Sequence, residues 1–132
     1  SSVTGEGITS LIAVMEQMAR EIEERPSAGV FRLPIDRVFS MKGFGTVVTG
    51  TLISGSVSVG DGVEILPGRF EARVRGIQVH NQQVSQATAG LRTAINLQGL
   101  EKEAVQKGSM LVHPRTLEPT ARIDVRLEHR GV

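Results

Sequence analysis

Three histidines, His80, His113 and His129, are the side chains best suited to proton transfer or metal ligation, and they stand far apart with no ligand spacing between them. A zinc site or an HExxH helix is not expected. The chain has no cysteine, which excludes a disulfide framework, a thiolate metal site and a cysteine nucleophile. Lys42-Gly43-Phe44-Gly45-Thr46 has the glycine content of a phosphate loop but not the GxxxxGK[ST] order. A strand follows it where a phosphate cradle would open a helix, so it reads as a turn. Asp36 and Arg37 are adjacent opposite charges, which read as a solvated ion pair at a strand end. By itself His80 reads as a surface or structural histidine, Phe39 as a core or rim aromatic, and Lys102 and Lys107 as a solvated rim.

The 132 residues give room for one core-bearing domain with a fragment of another. Apolar residues make up 39% and charged residues 22%, the balance of a folded soluble chain rather than a disordered one. No apolar stretch is long enough to span a bilayer, and no charged-then-apolar leader opens the sequence. A cytoplasmic setting without membrane contact is the expectation. The net charge of +1 is too small to argue for nucleic acid, but it is unevenly spread. Residues 1–27 hold five acids and two bases, so the rest of the chain carries a net charge of +4. Four phenylalanines are the only aromatic residues, which disfavours a base-stacking platform and leaves ionic contact as the main route to RNA.

Ile8, Leu11, Ile12, Met15, Ala19 and Ile22 recur at helical spacing, which predicts an amphipathic helix from residue 8 to about 24. Pro26 ends it and a linker follows. Such a helix needs a body to pack on; its apolar face predicts self-association or packing on the rest of the chain. After Val30 the texture turns to β-branched residues punctuated by Gly and Pro, with strands expected at 31–38, 46–54, 62–66, 70–80, 91–98 and 110–113. Tight turns at Ser54-Gly55, Gly60-Asp61 and Pro67-Gly68 favour a closed barrel, because closure removes exposed edges. Phe70, Ala72 and Val74 alternate in one phase and Ile77 and Val79 in the other, so a β-bulge is expected near Arg75-Gly76, where it would re-aim His80. Leu91, Ile95 and Leu97 share a face, which turns Arg92, Ala94 and Asn96 away from the core. Residues 101–107 can form a short helical turn ended by Gly108. Ala121, Ile123, Val125 and Leu127 alternate with charged residues as a half-buried strand without a partner.

Phe31-Arg-Leu-Pro-Ile-Asp-Arg-Val-Phe39 followed by Lys42-Gly-Phe-Gly-Thr-Val-Val-Thr-Gly50 resembles the second domain of translational GTPases of the elongation factor Tu type. Val59-Gly-Asp, Arg73-Val-Arg-Gly-Ile-Gln-Val-His-Asn-Gln82, Ala89-Gly-Leu-Arg-Thr-Ala-Ile-Asn-Leu-Gln-Gly99 and Glu101-Lys-Glu continue the likeness in order, across roughly residues 28–114. Within that family, His-Asn-Gln and Gly-Leu-Arg-Thr-Ala-Ile-Asn look like the bacterial selenocysteine-specific elongation factors. Ser1-Ser-Val-Thr-Gly-Glu-Gly-Ile8 resembles the last guanine-contacting segment of the GTPase domain and its final helix. The resemblance implies an all-β fold, a closed six-stranded Greek-key barrel preceded by one amphipathic helix. Residues 1–27 would be a GTPase-domain remnant and linker, 28–116 the second-domain barrel, and 117–132 the start of a third-domain barrel.

The P-loop, the magnesium-binding Asp-x-x-Gly and the guanine-specifying Asn-Lys-x-Asp are missing from these residues, so GTP hydrolysis with magnesium is expected only of a parent factor. The resemblance implies a module that holds the aminoacylated end of selenocysteyl-tRNA for GTP-dependent delivery to the ribosome. Its expected partners are that tRNA, the ribosome and the parent GTPase domain. Asp36, Arg37, Phe39, His80 and Arg92 match the positions around the aminoacyl group, and Lys107 a basic position near the tRNA 5′ end. In elongation factor Tu the positions of Arg37 and Arg92 are not arginines. A selenol is largely ionised near neutrality, so two guanidiniums would attract a selenolate and gain little from neutral serine. Two unit charges about 4 Å apart interact by about 4 kcal/mol at an effective dielectric of 20, an upper figure because both ions lose hydration. Alternatives are the barrel of another translational GTPase, a structural spacer, or a cofactor-binding barrel of an enzyme.

Overall fold

The computed structural model describes residues 1–21, 28–41 and 45–128. The linker expected at 23–27, the turn residues Lys42 to Phe44, Ile22 and His129 lie outside the described residues.

Among the described residues nine strands follow one helix: β1 (Arg32–Met41), β2 (Gly45–Thr51), β3 (Ser56–Ser58), β4 (Gly62–Leu66), β5 (Phe70–Val79), β6 (Gln82–Val84), β7 (Gln86–Thr88), β8 (Arg92–Gln98) and β9 (Met110–Val112). Six of them close a ring in the order β1-β2-β8-β5-β4-β9 and back to β1, with every pairing antiparallel. The sequence anticipates all six. It misses β3, β6 and β7, three-residue strands too short to show alternation; β3 pairs with β7, and β6 hairpins back onto β5.

Alternation builds the interior. Thr93, Ile95 and Leu97 of β8 are buried while Arg92, Ala94 and Asn96 turn outward. Ile95 and Leu97 meet Val48, Ile77 and Leu33 in one apolar cluster, each such side chain contributing about 1.5–3 kcal/mol by leaving water. Thr93 is tolerated inside because its hydroxyl donates to the Leu91 carbonyl at 3.2 Å, and Thr46 because its hydroxyl donates to the Leu100 carbonyl at 2.8 Å.

Two bulges interrupt the alternation. On β5 the pairing to β8 slips between Val74 and Gly76, as the phase change in the sequence predicts. On β1 the pairing to β2 slips between Ile35 and Arg37, leaving Asp36 as the additional residue. The partner of Ile35 is Gly50, where a Cβ atom would stand 2.1 Å from the Pro34 carbonyl oxygen and 2.7 Å from a Leu33 methyl. Only glycine lets the two backbones come this close.

The helix α1 (Ile8–Glu21) forms where the periodicity places it, but none of its residues is buried and Leu11, Met15 and Met18 are about 60% exposed. Packing of this face on the barrel, one of the two expected outcomes, is not observed. Residues 102–104 make a single 3-10 turn. The strand expected at 121–127 is also absent: Ile123, Val125 and Leu127 are 70–92% exposed and these residues pair with nothing described. Alternation specifies which faces a strand would show, but a lone strand satisfies none of its backbone groups and buries neither face.

Gly50→Ala should destabilise the chain by about 1–3 kcal/mol in urea unfolding, because the added methyl meets backbone. Gly76→Ala, where a Cβ meets nothing within 4 Å, should change stability by less than about 0.5 kcal/mol.

Candidate functional site

The β1 bulge decides which side chains reach the outer face. Ile35 points into the barrel and Val38 packs against the core, so two consecutive residues, Asp36 and Arg37, leave on the outside. Across the sheet, Arg37 pairs with Thr49, Thr49 with Ala94, Ala94 with Gln78 and Gln78 with Gln83, a row of outward-facing positions on five strands. Arg92 stands two residues before Ala94 on the same face of β8.

Arg92 closes a fork on Asp36: Nη1 donates to Oδ2 at 2.5 Å and Nη2 to Oδ1 at 3.1 Å. The Thr49 hydroxyl donates to Oδ1 at 2.8 Å. The Arg92 hydrogen bond holds the Asp36 carboxyl below its ordinary range against the opposing effect of burial. The Thr49 hydroxyl and the charges of Arg92 and Arg37 push the same way as Arg92's hydrogen bond. The same carboxylate raises the pKa of Arg92. Because the Arg92 side chain is 52% exposed, the fork matters for orientation more than for stability. Arg37 is exposed and belongs to no ion pair among the described residues. With a neutral imidazole, Arg37, Arg92 and Asp36 leave this rim one net positive charge.

His80 reaches the same end by a different device. Residues 80 and 81 form the two-residue turn between β5 and β6, with φ of 51° and 62°, the left-handed pair that a tight hairpin of this hand requires. The strand predicted to run through His80 therefore stops at Val79, and the turn rather than the bulge alone aims the ring. His80, Asn81, Arg92, Thr49, Gln78, Thr93 and Ala94 line a cavity of 220 Å³. Next to it, sharing Gln78 and Ala94, lies a groove of 460 Å³ whose lining includes Phe39, Val47, Val59, Arg75, Gly76, Gln83 and Asn96. The amide oxygen of Asn96 is buried there without a hydrogen-bond partner among the described residues.

His80 and Arg92 thus share the cavity, Asp36 holds Arg92 from beside it, and Arg37 stands next to Asp36 on the same outward face, paired with Thr49, without lining the cavity. Phe39 lies in the adjoining groove, 37% exposed. Lys107 is exposed beside the bulge, because the next residue, Gly108, donates its N–H to the Ile35 carbonyl at 2.8 Å. Sequence reasoning missed Thr49, Gln78 and Arg75. Their outward phase was readable from alternation, but their nearness to the site depends on which strands pair. Among the described residues no group of three or more acids, histidines or cysteines is placed to hold a metal ion. No helix among them is long and apolar enough to cross a membrane.

Fold and site together define a closed six-stranded antiparallel barrel that carries two arginines and one aspartate on one outward face. A family profile described as elongation factor Tu domain 2 matches residues 45–112, and the chain belongs to that family. It is 44% identical over 127 residues to the selenocysteine-specific elongation factor of Desulfomicrobium baculatum, covering 96% of this chain and 20% of that protein. The selenocysteine-specific elongation factor of Escherichia coli strain K12 is 38% identical over 129 residues, covering 97% of this chain and 21% of its own length. Translation elongation factor SelB from Methanococcus maripaludis, in its apo form, superposes with a TM-score of 0.81 at 35% identity, over 86% of this chain and 24% of that one. The chain spans about a fifth of the length of these curated relatives.

The Asp36 carboxyl should titrate below its ordinary value of 3.8, and Arg92→Ala should bring the midpoint back up toward it, followed by carboxyl-carbon NMR. Since the folded value is the lower one, the stabilisation from this pair is complete above the ordinary value and is lost as pH falls through the folded value.

Proposed function

We propose that the chain is the second-domain region of a selenocysteine-specific elongation factor and binds the aminoacylated acceptor end of selenocysteyl-tRNA. The observation that carries this reading is the convergence at one rim of Arg37, in no ion pair among the described residues, and Arg92, forked by Asp36. Asp36 fixes the plane of the Arg92 guanidinium, so its remaining N–H groups face the cavity without conformational search. Arg37 supplies the net positive charge that a selenolate neutralises. A serine hydroxyl offers no such charge, so the rim favours the anionic side chain by an interaction that seryl-tRNA lacks. His80 adds a donor on the far wall of the cavity.

The groove with Phe39, Val47 and Ala94 on its wall and floor suits the nucleoside that carries the ester, and Lys107 the negative charge of the tRNA 5′ end. Residues 1–27 belong in this reading to the end of a GTPase domain, and 117–132 to the start of a third domain. GTP hydrolysis with magnesium, delivery to the ribosome in the cytoplasm, and contact with the GTPase domain are then properties of the full-length factor.

In the full-length factor, binding of selenocysteyl-tRNA and of seryl-tRNA built on the same tRNA should separate the two arginines from the rest of the surface. Arg37→Ala and Arg92→Ala should each lower the preference for selenocysteyl-tRNA about tenfold or more, with seryl-tRNA binding little changed. An intact preference in both variants would remove the cationic pocket, and leave the barrel a spacer or a domain for another aminoacyl end. Acidification below the selenol pKa should erode the wild-type preference, measured by the same competition.

A further inference from the structure

A third arginine faces the same surface from the far end of the groove. Arg75 is the additional residue of the β5 bulge, unpaired in the ladder and exposed. Among the described residues it is in no ion pair, and it is the one charged side chain lining the 460 Å³ groove, which otherwise presents apolar and amide groups. Without the bulge, strict alternation running back from Gln78 and Gly76 would send residue 75 into the barrel.

Arg92 and Asn96 are four residues apart on β8, about 13 Å along the strand, and Asn96 pairs with Gly76 next to Arg75. The sheet therefore carries Arg92 at the cavity and Arg75 in the adjoining groove, which is walled by Phe39 and floored by Val47 and Ala94, and the two hollows share Gln78 and Ala94. An aminoacylated terminal nucleotide has the matching polarity. Its side chain lies on one side of the ribose, its base and sugar in the middle, and its own phosphate on the other side.

We infer that Arg75 binds the phosphodiester on the 5′ side of the terminal nucleoside, and sets the position of the acceptor end without reading the amino acid. The inference rests on the acceptor-end reading of the rim. A guanidinium on a bulge offers a phosphate two parallel N–H donors, and among the described residues no carboxylate lines the groove to compete for them.

The test uses the full-length factor. Arg75→Ala should weaken selenocysteyl-tRNA and seryl-tRNA equally, about tenfold, and reduce the slope of log affinity against log salt by about 0.7. Arg75→Lys should recover the salt slope. A neutral methylphosphonate at the last internucleotide linkage should weaken the wild type and cost Arg75→Ala nothing further. Unchanged affinity and salt slope in Arg75→Ala, or a methylphosphonate penalty as large in the variant as in the wild type, would overturn the contact. So would an Arg75→Ala loss that vanishes only when the terminal base is removed, since that places the guanidinium on the base. Arg37→Ala is measured alongside. If it lowers the selenocysteine preference while Arg75→Ala does nothing, the Arg75 contact alone is wrong; if it leaves the preference intact, the acceptor-end reading falls. Unaltered thermal melting of Arg75→Ala checks that the barrel folds.

Discussion

At Asp36 the β1 strand carries one residue more than β2 can pair, and two consecutive side chains leave the barrel on the same side. Without that additional residue the period of two would send one of Asp36 and Arg37 into the apolar interior, where an ion is costly to bury. The bulge in turn needs a close approach of β1 to β2, which Gly50 permits because its missing Cβ would otherwise stand on the Pro34 carbonyl. Backbone geometry and rim electrostatics are therefore one arrangement. A carboxylate is placed where it can orient the Arg92 guanidinium, and a second guanidinium is placed beside it.

The charge balance of the rim follows from this placement. Two arginines alone would repel each other and attract any anion; with Asp36 between them, one guanidinium is held in a fixed plane and the net charge falls to one. The half-exposed setting keeps desolvation modest, so orientation is gained without the penalty of a buried ion pair.

Similarity to selenocysteine-specific elongation factors extends across almost the whole chain, including the helix and the trailing segment that the barrel leaves uncovered. The exposed apolar stripe of α1 and the exposed alternation at 121–127 share a cause. Each pattern has an apolar face that meets no surface among the described residues.

The order of residues was enough to determine where the six ring strands run, that β5 changes phase near Arg75, and that Arg92 faces outward. Each of these follows from local alternation and from where Gly and Pro break it. The helix was legible for the same reason, and the family motifs pointed to Asp36, Arg37, Phe39, His80 and Arg92. Pairing is not a local property. Only the closed ring sets β8 beside β2 and β5, which brings Arg92, 56 residues away in sequence, onto Asp36, and puts His80 in the same cavity. The bulge at Asp36 went unread because its mark is ambiguous: Val38 departs from the phase of Phe31, Leu33 and Ile35, but the apolar Phe39 keeps that phase. The turn at 80 and 81 was not read either: His and Asn enter left-handed geometry more readily than most residues, but the alternation of Ile77 and Val79 fitted a strand continuing through His80.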